Sequence, residues 1–94
     1  MSEEQLKEIE YYAGKLRSPK EICVIMGLQF IELKDAFIKQ GNAIYEAYNK
    51  GQQLTVIKHV DIIIKLAGEG SSAAQVMLEN IITELKTKEV DELT

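Results

Sequence analysis

Residues 18–40 read SPKEICVIMGLQFIELKDAFIKQ, and the rest of the chain takes its meaning from this stretch. Ser18, Pro19 and Glu21 together spell a helix start. The serine hydroxyl accepts from the N–H three residues on, Glu21 reaches back to the cap N–H, and Pro19 lacks only an N–H that would be unpaired there. Gly27 supplies the positive φ that ends this helix, and Leu28 turns inward behind it. Phe30, Leu33 and Phe37 recur at three- and four-residue spacing, so a second helix follows with one apolar stripe. Cys23 is small and sits where the second helix must cross; Leu33 plugs the corner from the other side. The stretch predicts two short helices meeting at a tight turn at Met26, Gly27 and Leu28.

Ile22, Ile25 and Met26 are expected to face inward beside Cys23. Ile31 and Ile38 form a second apolar line away from the inner stripe. A solvated helix does not keep such a line, so it is expected to meet a neighbouring helix, from the same chain or from another copy. Upstream, residues 2–16 predict a helix capped by Ser2. Glu3 and Glu4 suit the positive end of its dipole, and Leu6, Ile9, Tyr12, Ala13 and Leu16 make its apolar face. The resulting three-helix unit has the spacing of a helix-turn-helix.

Gly41 and Asn42 end or weaken the third helix, and Gly51 is expected to be a further weak point. Residues 52–67, QQLTVIKHVDIIIKLA, are dense in β-branched side chains but lack the alternation of a strand. Val56, Val60, Ile63 and Ala67 make one helical stripe, while Ile57, Ile64, Ile62 and Leu66 put apolar residues on other sides. A helix buried on several faces in so short a chain predicts packing between subunits. Gly68, Glu69 and Gly70 stop it, and Ser72 with Gln75 is expected to cap the last helix. Ala74, Met77, Leu78, Ile81, Ile82 and Leu85 form a broad apolar face there. The expected oligomer interface is Val56, Val60, Ile63, Ala67, Met77 and Ile81. From Thr87 the chain reads TKEVDELT, an acidic end expected to fray.

The chain is thus expected to be all-α, with a helix-turn-helix-like three-helix unit at residues 1–41. A long helical oligomerisation hairpin at residues 42–87 and an acidic tail at residues 88–94 follow. Ninety-four residues allow one compact chain with a thin core. One cysteine cannot form an internal disulfide, which suits a reducing compartment. MSEEQLKEIE has neither the character of a signal peptide nor that of a transit peptide, and no apolar run is long enough for a membrane. A cytoplasmic location is expected, without membrane partners. The net charge of −4 argues against a chain that wraps nucleic acid over its whole surface. The charge is uneven, however. Residues 1–10 set Lys7 against Glu3, Glu4, Glu8 and Glu10, while Lys15, Arg17, Lys20, Lys34, Lys39 and Lys50 outnumber the acids of residues 11–50.

Catalysis needs a constellation of groups, and the residues provide none. His59 is the sole histidine, which leaves little for a metal cluster or a histidine-based triad. Cys23 fills a packing slot. GEGSS lacks the lysine of a phosphate loop, and the carboxylates are scattered. No enzyme, no cofactor and no metal are expected.

Three phrases, SPKEICVIMGL, AIYEAYNKGQ and IIIKLAGEGSSAAQVMLENII, occur in an order that resembles the phage terminase small subunits. Tyr48, Lys50 and Gly51 are similar to a stretch that follows the corner in that family. Leu66, Ala67, Gly70, Ser71, Ala74 and Leu78 are similar to its hairpin. The resemblance implies a non-catalytic DNA-recognition component for bacteriophage genome packaging. Such proteins assemble as homo-oligomers, often rings, bind double-stranded DNA and regulate a terminase large subunit. In a viral setting the compartment is the host cell cytoplasm. It further implies that Gln29, Lys34 and Lys39, with Glu32 and Asp35 among them, lie on the outer face of a recognition helix. Lys15, Arg17 and Lys20 would meet phosphates from its flank. The departure is in those two acids, since a reading helix usually offers Arg, Lys, Asn or Gln to base edges. Two other readings share the same features: a small helix-turn-helix transcription regulator, and an all-α oligomeric interaction or virion protein that binds no DNA.

Overall fold

The computed structural model describes residues 1–94, and the chain is all-helical. Its elements are α1 (Glu3–Gly14), α2 (Pro19–Met26), α3 (Phe30–Ile38), α4 (Ala43–Gly68) and α5 (Ser72–Leu93). They fall into two compact units, Met1–Val56 and Ile57–Thr94, with α4 contributing to both. The first unit thus runs past residue 41, because the opening turns of α4 complete its core.

The capping box expected at Ser18 and Glu21 forms, and Ser2, expected as a cap, makes a second box with Gln5. Ser2 Oγ accepts from Gln5 N–H at 3.2 Å while the Gln5 carboxamide accepts from Ser2 N–H at 3.0 Å. Ser18 and Glu21 repeat the arrangement at 3.3 and 3.0 Å. At the other end of α2, Gly27 takes φ 70°. Leu28 N–H donates to Cys23 O at 2.8 Å and Gly27 N–H to Val24 O at 3.3 Å, the paired bonds of a Schellman turn.

α1 ends with the same pair of bonds, from Leu16 N–H to Ala13 O at 2.9 Å and from Arg17 N–H to Tyr12 O at 3.1 Å. Here the left-handed position is held by a leucine, with φ 60°. Leu16 therefore does not extend the inner face of α1, as its spacing suggested; the reversal of the chain turns it out, and it is 60% exposed. A left-handed conformation costs a residue with a Cβ roughly 1–2 kcal/mol. Leu16→Gly is expected to raise stability by about 0.5–1 kcal/mol, the glycine's greater unfolded-state freedom offsetting part of the relief. Urea unfolding measures it, and a loss of stability would mean that the Leu16 side chain packs more than its exposure indicates.

The core of the first unit is Ile9, Ala13, Ile22, Cys23, Phe37 and Ile44, with Leu6, Tyr12, Met26, Leu28, Phe30, Leu33, Ala36, Ala47 and Tyr48 packed around it. The inner stripe of α3 is as expected, although only Phe37 is fully enclosed and Leu33 is half-buried. Phe37 meets Tyr48 edge to face, with centroids 5.6 Å apart. Ile25 departs from expectation: it is 49% exposed, since the eight residues of α2 turn only Ile22, Cys23 and Met26 toward the core.

The region around Gly41 does end a helix. α3 stops at Ile38, Gly41 takes φ 87°, and Asn42 Oδ1 accepts from Ile44 N–H at 2.9 Å to start α4. Gly51, by contrast, is no weak point. It lies inside the unbroken 26-residue α4, buried, where α1 crosses the helix. A Cβ at Gly51 would overlap the carbonyl oxygen of Glu10 and come within 2.9 Å of that carbonyl carbon and 3.1 Å of Ala13 Cβ. Beside it, Thr55 Oγ1 donates to Gly14 O at 2.6 Å, and Lys50 Nζ lies 3.4 Å from a Glu10 carboxylate oxygen.

In the second unit, Gly70 takes φ 97° and the helix closes with Gly70 N–H on Ala67 O and Ser71 N–H on Leu66 O, both at 3.1 Å. Ser71 rather than Ser72 caps α5, accepting from Ala74 N–H at 3.2 Å. The Schellman turn uses the residue after Gly70 as its last member, so the helix restarts at once. Gln75 is therefore not a capping-box partner and instead donates to Ala67 O at 3.3 Å. The acidic residues 88–93 are helical, since α5 continues to Leu93. Glu, Leu, Lys and Val there have no glycine or proline to stop them, and Thr94 N–H closes the last turn on Val90 O at 3.1 Å.

Candidate nucleic-acid interface

Lys15 and Arg17 sit in the reversal between α1 and α2, Lys20 in the first turn of α2, and Gln29 at the head of α3. Lys34 lies mid-way along α3, and Lys39 just beyond its end. All six are exposed. The capping and turn residues that make the corner fix the backbone of Lys15, Arg17, Lys20 and Gln29.

The structure draws some of them together and leaves others apart. Arg17 and Lys20 line one shallow groove with Ser18, Glu21, Val24 and Ile25. Lys34 borders a separate hollow beside Pro19, and Gln29 and Lys39 line neither. Gln29 precedes α3 in an extended conformation and makes no capping hydrogen bond with its side chain, which leaves the carboxamide available.

Two of the cations are engaged within the chain. Arg17 Nη1 lies 3.5 Å from Glu21 Oε2, one helical turn on, with both side chains about half exposed. Lys15 Nζ lies 5.6 Å from the Tyr11 ring centroid. The Glu21 carboxyl is held below its ordinary value, first by the hydrogen bond from Ser18 N–H, then by the Ser18 hydroxyl and Arg17. Glu21 is therefore a fixed negative charge inside the basic flank. It orients Arg17 and offsets part of its charge.

The outer face of α3 carries Ile31, Lys34, Asp35 and Ile38. Ile31 is 83% and Ile38 75% exposed, so no helix of the first unit covers the second apolar line of α3. That pattern was visible in the residues; that the line would be uncovered was not. Val24 adds another exposed apolar side chain on α2.

The expected oligomer residues divide. Ile63 is buried inside the second unit, Val60, Ala67 and Ile81 are half-buried, and Val56 and Met77 are exposed. Of the stripe that spacing singled out on α4, the chain encloses Ile63 and partly covers Val60 and Ala67, so Ile63 is not accessible to another copy while Val56 is. Ile57 and Ile64 lie on one flank of it, and Ile62 and Leu66 on the other, all four exposed. On α5, Val76, Met77, Ile82 and Leu85 are exposed as well. Sequence reasoning had placed Ile57, Ile62, Ile64 and Leu66 on other sides without assigning them to the interface.

Burial raises the pKa of the Cys23 thiol, which keeps it protonated and unreactive in the corner. No three His, Cys, Asp or Glu side chains converge where they would hold a metal ion. No helix is long and apolar enough to cross a membrane. No family model, curated protein or solved structure matches the chain.

Proposed function

We propose that the chain is a non-catalytic, homo-oligomeric DNA-recognition subunit of the terminase small-subunit kind, working with a large subunit that carries the catalytic activities. One observation carries this reading. A helix-turn-helix-like unit with an exposed basic flank is joined, through the single helix α4, to a hairpin that leaves Ile57, Ile62, Ile64, Leu66, Met77 and Leu85 about half exposed. Half-exposed aliphatic side chains in such number exceed what a monomer normally presents and mark an association surface.

The two flanks of α4 also speak to the kind of association. At about 100° per residue, Ile57 and Ile64 lie well round the helix from Ile62 and Leu66. The flanks are separated by the inward stripe. Two separate apolar surfaces on one chain suit a head-to-tail contact, which closes into a ring when the rotation permits. A ring would add many weak DNA contacts through multivalency.

The test is DNA binding by the assembled protein, followed by fluorescence anisotropy at 50 and 200 mM salt. Binding is expected to fall steeply with salt, and replacing Lys15, Arg17 and Lys20 together by alanine should lower the log–log salt slope by roughly 1 for each lost phosphate contact. The fold should persist, because all three side chains are exposed. No binding at low salt by a protein that light scattering shows to be oligomeric would remove the DNA reading, and a strict monomer at micromolar concentration would remove the assembly. A protein-binding corner without DNA is the second reading. It is favoured by the Arg17–Glu21 pair and by the bare Val24, Ile31 and Ile38.

A further inference from the structure

Of Lys15, Arg17 and Lys20, only Arg17 lies within ion-pair distance of a carboxylate. That carboxylate is held on both oxygens. Glu21 Oε1 accepts from Ser18 N–H at 3.0 Å, and Oε2 lies 3.5 Å from Arg17 Nη1. The backbone on either side is fixed as well. Arg17 N–H donates to Tyr12 O at 3.1 Å in the turn that closes α1, and Glu21 N–H donates to the Ser18 hydroxyl at 3.3 Å. The cap thus pins a negative charge in one place. Arg17, Lys20 and Glu21 line the same groove, so Glu21 offsets one of its two positive charges. Building on the DNA reading above, and depending on it, we infer that Glu21 restrains this interface by masking Arg17 against non-specific DNA.

An ion pair between half-exposed side chains one turn apart is weak, and a mobile partner would yield to phosphate. Here the partner stays, because its other oxygen is bound to the backbone. A phosphate that takes Arg17 then stands close to a fixed carboxylate, and the like charges repel. The restraint is greatest at low salt, where attraction to any duplex is strongest, and it fades as salt screens both charges. It acts on the phosphate contacts that supply non-specific binding and carry no sequence information.

The charge can be removed without the cap. In α1 the same box is made with a carboxamide, since Gln5 Oε1 accepts from Ser2 N–H at 3.0 Å and Gln5 N–H donates to the Ser2 hydroxyl at 3.2 Å. Glu21→Gln is therefore expected to keep the start of α2 while it frees Arg17.

Fluorescence anisotropy of the assembled full chain with a short labelled duplex of mixed sequence tests the restraint. Glu21→Gln is expected to steepen the log–log salt slope by roughly 0.5–0.9, so that its advantage over unsubstituted protein is about two- to three-fold larger at about 50 than at about 200 mM salt. Glu4→Gln, the same change of net charge in the first turn of α1, should leave the slope unchanged. Arg17→Gln should alter the slope little in unsubstituted protein but should remove the whole gain in Glu21→Gln protein, because the two residues act through one another. Far-UV circular dichroism should stay helical throughout. Weaker binding by Glu21→Gln would mean that Glu21 presents Arg17 to phosphate rather than masking it. Equal effects of Glu4→Gln and Glu21→Gln would reduce the result to net charge, and an equal effect of Arg17→Gln in both backgrounds would show no coupling. Each of these outcomes overturns the restraint and leaves the DNA reading standing. Failure of every form to bind duplex at low salt would remove both.

Discussion

Gly51→Ala is expected to destabilise the protein by about 2 kcal/mol, although the same change in an exposed helix interior stabilises by nearly 1 kcal/mol. The sign is reversed by what faces Gly51. The added methyl would meet the Glu10 carbonyl and Ala13 Cβ on α1, and a backbone carbonyl cannot swing aside as the end of a flexible side chain can. The helices must separate, and separation lengthens the 2.6 Å hydrogen bond from Thr55 to Gly14 and loosens the Lys50–Glu10 pair. Overpacking of a close contact costs roughly 1–3 kcal/mol, and the lost hydrogen bond adds about 1 kcal/mol, against the propensity gain. Gly14→Ala is the control, since a Cβ there would meet Gly51 O and Thr55 Oγ1 at an ordinary 3.5 Å. It should change stability little. Urea unfolding of both variants measures the difference, and equal midpoints would mean that α1 and α4 do not cross as closely as described.

Phe37→Ala should be the most damaging single truncation, by about 3–5 kcal/mol. Phe37 is the one residue of α3 that is fully enclosed, and it joins α3 to the start of α4 through its edge-to-face contact with Tyr48. Such a ring pair contributes roughly 0.5–1.5 kcal/mol beyond the area that it buries. A chain of this size has of the order of 5–14 kcal/mol of stability in all, so the variant should be close to unfolding at room temperature. Phe37→Leu keeps most of the volume and should lose only about 1–1.5 kcal/mol. Circular dichroism with thermal unfolding separates the two. A loss below 1 kcal/mol for Phe37→Ala would show that α3 is held by Phe30 and Leu33 instead, and that the core centres elsewhere.

These two positions differ in how readily they could be read from the residues. Phe37 falls on a stripe with Phe30 and Leu33, and periodicity alone placed it inside. Gly51 carries no such mark. A glycine within an apolar helical pattern reads as a break, because its local cost is visible and its tertiary benefit is not. The same asymmetry explains Leu16, which continues the pattern of α1 on paper but is turned out by a left-handed reversal that local preference would have given to a glycine. It also explains the stripe of Val56, Val60, Ile63 and Ala67. Spacing picks out Ile63 on an apolar stripe, but it does not say how much of that stripe is covered or whether the covering surface belongs to the same chain or to another.

The corner at Ser18–Gln40 was legible for a physical reason: its determinants are local. A serine, a proline and a glutamate within four residues satisfy the free N–H groups of a helix end, and a glycine at positive φ satisfies the carbonyls at the other, whatever lies beyond. The all-α class, the Ser2 cap, the Ser18–Glu21 capping box and the Gly27 and Gly70 stops follow from such short-range terms, and the sequence by itself determined them. Only the tertiary structure decided that α1 crosses α4 at Gly51, that Ile63 is spent on the chain's own interior, and that Ile31 and Ile38 remain bare. Those outcomes depend on which helix surfaces meet, and contact between residues some forty positions apart leaves no periodic trace in either segment.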